Sequence, residues 1–302
     1  MDPLVAAQIA VAAVQDILFA IAVGALACDA MTRRQAVAVP ATPGRWRLYS
    51  FVLLAIACAF YLWLQAAVMS GEPLGEAGSA LSAVLTQSHF GVAWSICLAG
   101  AVLGTLAGAR RTRGAWIVAT TGAIVYAMGK AAASHAADAG DFSVPEAVHT
   151  VHLCATALWA GSIIVGTCML FGSERTSPDM RIRRPRFSAQ LSQLATIALG
   201  VVVVTGIFNV VENTAHMTTS LLVTSYGHVL SAKLVLVALA ILLGGYNRLT
   251  YLPDLRAGNS SAGMSVGKAQ RRFDRLLLIE AVTMLAVLVV AASLGHTSPS
   301  GG

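Results

Sequence analysis

Apolar runs of about 20 residues alternate with short polar intervals along the whole chain. Eight runs stand out, at roughly 4–27, 48–69, 90–109, 115–133, 148–171, 191–211, 229–246 and 276–294. At about 1.5 Å per residue each is long enough to cross a hydrocarbon core about 30 Å thick as a helix. The intervals leave no room for a soluble domain. The pattern therefore predicts an all-α polytopic membrane protein, a bundle of eight transmembrane helices forming a single domain over 1–302. Only Asp2 precedes the first run, with no Lys or Arg. That run also exceeds the apolar region of a secretion signal, so it is expected to stay as the first span.

Charge adds an orientation. Arg33, Arg34, Arg45 and Arg47 lie between runs one and two, and Arg110, Arg111 and Arg113 between three and four. Five arginines follow run five (Arg175 to Arg186), and six basic residues follow run seven (Arg248 to Arg275). These 18 of the 20 basic residues occupy alternate loops, which the positive-inside rule makes cytoplasmic. Glu72, Glu76, Asp138, Asp141, Glu146 and Glu212 occupy the opposite loops. Both termini are then expected to be extracytoplasmic. The sequence pI near 9.3 follows from this topology, and no nucleic-acid partner is needed to explain it. Composition agrees: 57% hydrophobic and 11% charged residues, against about 25% charged in a soluble domain.

On this topology all seven histidines fall on the extracytoplasmic side. His89 opens span three, His135 follows span four, and His149 and His152 open span five. His216 follows span six, His228 opens span seven, and His296 closes span eight. Imidazole is a common ligand for copper, zinc and haem iron, and thioether adds affinity for Cu(I). Met69, Met128 and Met217 sit near the same ends. The candidate metal-capturing set is therefore His149, His152, His89, His135, His228, Met128 and Met217. His149 and His152, three apart, share one helix face. Upstream, "DFSVPEAVH" reads as a helix start, with Ser143 as N-cap and Glu146 completing a capping box. Histidines at an interface also simply satisfy water and headgroups, and that plainer reading stands beside the metal reading.

Inside the spans lie Asp16, Lys130, Lys233 and Glu280, where burial is expensive and usually functional. Lys130 is close enough to a span end to snorkel. Lys233 and Glu280 each lie about 10 Å in, from opposite ends. Asp16 is expected to pair with Lys233, and Glu280 with Arg248 or Arg275. Gly100, Gly104 and Gly108 mark a close helix contact. The five cysteines form no CxxC and read as small buried hydrophobes. No HExxH, nucleophile elbow or phosphate-binding loop is present, so no enzyme is indicated.

The later spans carry a resemblance. "RFSAQLSQLATIALGVVVVTGIFNVV" (186–211), "SYGHVLSAKLVLVALAILLGGYNRL" (225–249) and "RRFDRLLLIEAVTMLAVLVVAASLGHTSP" (271–299) resemble the copper resistance protein D family, CopD/PcoD. "HTVHLCATALWAGS" is similar to that family's His-led segment. The likeness covers 145–299, with spans one to four (about 4–133) fitting by topology and spans five to eight (about 144–296) by pattern. It implies a bacterial inner-membrane protein that handles copper, a permease importing it from the periplasm, with a periplasmic copper-binding protein as a further partner. By the same likeness Lys233, Asn209, Asn247, Arg248 and Glu280 match pattern positions. The expected functional set is thus the outer His and Met residues together with the intramembrane polar residues Asp16, Lys233, Glu280 and Asn209. A rival from a different class is a haem-binding, cytochrome-like redox protein with His axial ligands near the outer face. A membrane scaffold for a periplasmic metallochaperone is a third reading.

Overall fold

The computed structural model describes residues 2–34, 42–134, 140, 142–173, 178–214, 224–253 and 266–297. Among the described residues, nine helices follow in chain order: α1 (Pro3–Arg34), α2 (Thr42–Ser70), α3 (Gly78–Gln87), α4 (His89–Leu106), α5 (Arg113–Ala132), α6 (Val144–Ser173), α7 (Pro178–Thr214), α8 (Ser225–Thr250) and α9 (Val266–Leu294). Eight of them, all but α3, are long and apolar enough to cross a membrane. They coincide with the eight apolar runs. The short α3 was not expected. It packs between α2 and α4, with Gly78 against the Trp63 ring and Gly91 of α4 against the Val84 carbonyl.

Hydroxyl caps set the helix starts. Ser88, Thr112 and Thr224 each accept from the backbone N–H three residues on, opening α4, α5 and α8. Ser143 does the same for Glu146 at 3.4 Å, and the Glu146 carboxylate reaches back to the Phe142 N–H at 2.7 Å. The expected capping box is present, its return bond displaced by one residue to Phe142.

The long helices alternate in direction. One end of the bundle gathers the starts of α4, α6 and α8. There Gln8 bonds Gln65 at 2.6 Å, and Tyr61 bonds His296 at 2.9 Å. The other end is arginine-bearing. Asp29, buried, is held by Arg33 and Arg111. Arg47, fully buried, donates to the Gly108 and Arg110 carbonyls at 2.7 Å each. Arg184 pairs with Asp274.

Centrally placed α6 packs against α1, α5, α7 and α9. Of its most apolar stretch 72% is buried, against 11% for α8, which packs chiefly on α9. Glycine makes the tightest crossings. A Cβ on Gly161 would stand 1.8 Å from the Ala20 carbonyl oxygen, so α1 and α6 touch backbone to backbone. Gly100 does the same for α4 against Gly122 and Tyr126 of α5, a Cβ on Gly104 would meet the Phe51 ring of α2, and Gly108 serves a turn with φ +61. The cysteines are free thiols; Cys28, Cys58 and Cys97 are buried, Cys154 is half-buried and Cys168 is exposed.

Candidate functional site

His149 and His152 rise from the first turns of α6 and stack, with ring centroids 6.2 Å apart and planes 17° from parallel. Helical spacing of three places them on one face, and that face meets α7. Asn209 Nδ2 donates to His149 Nδ1 at 3.2 Å. His152 Nδ1 meets Thr205 Oγ1 at 2.9 Å. The Thr205 hydroxyl has one proton, and it goes to the Val201 carbonyl at 2.7 Å. Its oxygen therefore accepts from His152, which carries its proton on Nδ1 and keeps a lone pair on Nε2. A ligating imidazole needs that tautomer and that orientation. Gly206 completes the cradle, since a Cβ there would lie 3.3 Å from His152 Cε1. His152 is buried and His149 half-buried.

Thr205, Gly206 and Asn209 thus act with the histidines as one unit, although only Asn209 stood among the expected site residues. The signal available in the chain was spacing. Positions 205, 206 and 209 form one stripe of α7, as 149 and 152 do of α6.

Two lysines, Lys233 and Lys130, stand near the pair, and Asp16 stands near both lysines. Lys233 of α8 lies about 12 Å in from the start of its helix, the same depth as His152 in α6. It is half-buried and close enough to both imidazoles and to Asp16 for their charges to interact. Lys233 makes no hydrogen bond or ion pair with any described residue. Asp16 is taken instead by Lys130, which turns inward from the end of α5. The expected Asp16–Lys233 pair is corrected accordingly, and Lys130 does not snorkel. An ion pair between neighbouring helices gains more than an ammonium extended past the helix end, because water is excluded from both partners.

Elsewhere the expected residues are dispersed. His89 is exposed at the start of α4, as is His228 near the start of α8. Met128 is exposed on α5, off the face that carries Ala123, Tyr126 and Ala127. His296 spends both nitrogens within the protein, on the Tyr61 hydroxyl and on the Ala292 carbonyl at 2.8 Å. His135, His216 and Met217 lie outside the described residues. Among the described residues, no three or more His, Cys, Asp or Glu side chains gather as a metal cluster. Nor do they outline a haem pocket: His149 and His152 share one face of one helix, and His89 and His228, on other helices, are exposed.

Asn209 meets the histidines; Glu280 is at the opposite end of the helix group. It is 4% exposed on α9, against Gly244 of α8, where a Cβ would lie 2.7 Å from its Oε1. The expected pairing of Glu280 with Arg248 or Arg275 is not formed. Arg248 donates instead to Ser192 and Thr196 of α7.

Comparison with known proteins supplies the lineage. Residues 1–144 match the model of the copper resistance protein D-like N-terminal domain, and residues 185–294 match that of copper resistance protein D. No curated protein matches the chain, and no solved structure matches it. The first half, which resembled the family by topology alone, thus carries a family pattern of its own. With both halves matched, this multi-pass membrane chain belongs to the copper resistance protein D family.

Proposed function

We propose that the chain is a bacterial inner-membrane permease that imports copper from the periplasm as one transmembrane domain. Both termini and the histidine-bearing end are periplasmic, and the arginine-bearing end is cytoplasmic. His149 and His152 are the capture pair, with Asn209 and Thr205 orienting them. A periplasmic copper-binding protein would deliver the ion. The observation that carries this reading is the Thr205–His152 bond, which leaves the buried imidazole with a free Nε2 lone pair beside a second imidazole.

Asn209 donates to His149 Nδ1, so in this arrangement only His152 offers a free lone pair, and His149 joins as second ligand when Asn209 lets go; the site is one of low coordination. Lys233, near both, opposes long residence of a cation. A transport path needs a site of this kind, which binds well enough to admit an ion and loosely enough to pass it on. Family membership supports copper as the cargo, and imidazole donors suit it.

Copper binding by the purified full-length protein, read by competition with a chromophoric Cu(I) chelator, tests the proposal. Thr205→Val should weaken binding by about 10–100-fold, and Thr205→Ser should retain it. The His149→Ala/His152→Ala double variant should lose little more than either single variant, since both serve one site. Full copper loading and uptake by the folded double variant would remove the pair from the pathway.

A further inference from the structure

Between α7 and α8, on the arginine-bearing side, a cleft of about 260 Å³ opens over a floor formed by Trp159 and Ile163 of α6. Most of its wall is apolar, yet three buried oxygen-bearing side chains line it. Glu280 is 4% exposed and has no hydrogen bond or ion pair with any described residue. Asn247, 3% exposed, donates its amide N–H to the Phe273 carbonyl at 3.3 Å, and its Oδ1 has no partner. Ser188, 1% exposed, has an unpartnered Oγ. Gly244 makes room for the carboxylate.

Unpaired polar groups at this depth are costly. An unpaired carboxylate is the most costly of the three, because removing it from water forfeits its solvation. A proton on the carboxylate offsets part of that cost, and charge and ligand type indicate which metal cation would replace it. Glu280 is the one acidic and Arg248 the one basic side chain in the lining, so a monovalent ion adds less uncompensated charge than a divalent one. All three donors are oxygen, which suits hard cations rather than copper in its soft monovalent state. The space accommodates an ion together with several waters at about 30 Å³ each. Arg248 supplies the only other charge in the lining. Its guanidinium is exposed and turned to α7, where it donates to the Ser192 carbonyl at 3.3 Å and to the Thr196 hydroxyl.

We propose that this cleft binds a monovalent alkali-metal cation, with Glu280 as the ionic ligand and Asn247 Oδ1 and Ser188 Oγ as neutral ones. The site is separate from the histidine pair and goes beyond the copper reading. An import permease with such a site has a means of coupling copper passage to a second ion.

The full-length protein in detergent provides the test. Sodium chloride is exchanged for choline chloride at constant ionic strength, and thermal unfolding and tryptophan fluorescence are followed, Trp159 being in the cleft floor. The expected result is a saturable rise in melting temperature with sodium, on the order of a few degrees. Glu280→Gln should fold, because it removes the charge while keeping the shape, and should lose the sodium response. Asn247→Ala and Ser188→Ala should shift the half-saturating concentration upward. His149→Ala/His152→Ala should keep the response, so failure of the copper reading would leave this one standing. The proposal is overturned if sodium and choline give the same curve in the wild type, if Glu280→Gln responds as the wild type does, or if only pH moves the melting temperature.

Discussion

The two halves of the bundle treat buried charge in opposite ways. In α1 to α5, Asp16 is matched by Lys130, Asp29 by Arg33 and Arg111, and Arg47 by two backbone carbonyls. In α6 to α9, Arg184 and Asp274 are matched at the arginine-bearing end, but Lys233 and Glu280 are left without partners among the described residues. Packing follows the same division. Glycine brings α4 and α5 to backbone contact, whereas α7 and α8 stand apart over a cleft. The first half uses its polar groups to hold helices together. The second leaves Lys233 and Glu280 unpaired among the described residues, and Glu280 lines the cleft, the condition under which a charge is available to a passing ion.

The largest effect expected from breaking this contrast is at the Asp16–Lys130 pair. Lys130→Met should destabilise the protein by about 3–5 kcal/mol, because it strands a carboxylate between helices. Adding Asp16→Asn should restore much of that loss, measured by unfolding in detergent. If the single variant is as stable as the wild type, the pair is not structural and the contrast fails.

Next in size is the α1–α6 crossing. Gly161→Ala places a methyl group where the Ala20 carbonyl already stands, and should cost about 1–3 kcal/mol as the helices part. The same substitution at Gly245, which has nothing within 4 Å of its Cβ position, should be neutral or slightly stabilising. Equal melting temperatures for the two variants would contradict the close crossing.

The smallest stability effect is expected at Lys233. Lys233→Met loses no described hydrogen bond or ion pair, so its stability should stay within about 1 kcal/mol of wild type. Copper uptake in vesicles should nevertheless change, since the charge beside the imidazoles is gone. A Lys233→Met protein that unfolds as readily as Lys130→Met would place both lysines in the same structural class.

Local contacts were legible in the sequence where both partners lay on the same helix. His149 and His152 were recognisable as one face of α6, and Ser143 with Glu146 as its cap, because helical periodicity is local information. Partner choice between helices was not legible in that way. Depth along each span made Lys233 the natural partner for Asp16, but depth carries no information about which helices are neighbours. Lys130, reaching in from α5, takes that carboxylate. The role of Thr205 was hidden for the same reason, since a threonine in an apolar run is unremarkable until the helix opposite presents an imidazole.

Eight spans are visible in the hydrophobic pattern alone, because the bilayer requires about 20 apolar residues per crossing, although the helices run past the apolar limits, as α7 does at its start. The short α3 escaped, being too brief to leave a membrane-length signature. Which polar groups meet was settled by packing. It brought α6 to the centre, set Thr205 and Asn209 of α7 against its histidines, and left Glu280 facing a cleft. Hydrophobicity assigns each helix to the membrane with little regard to rotation or neighbour. Glycine crossings and specific polar contacts then select one arrangement, and that selection depends on residues far apart in the chain.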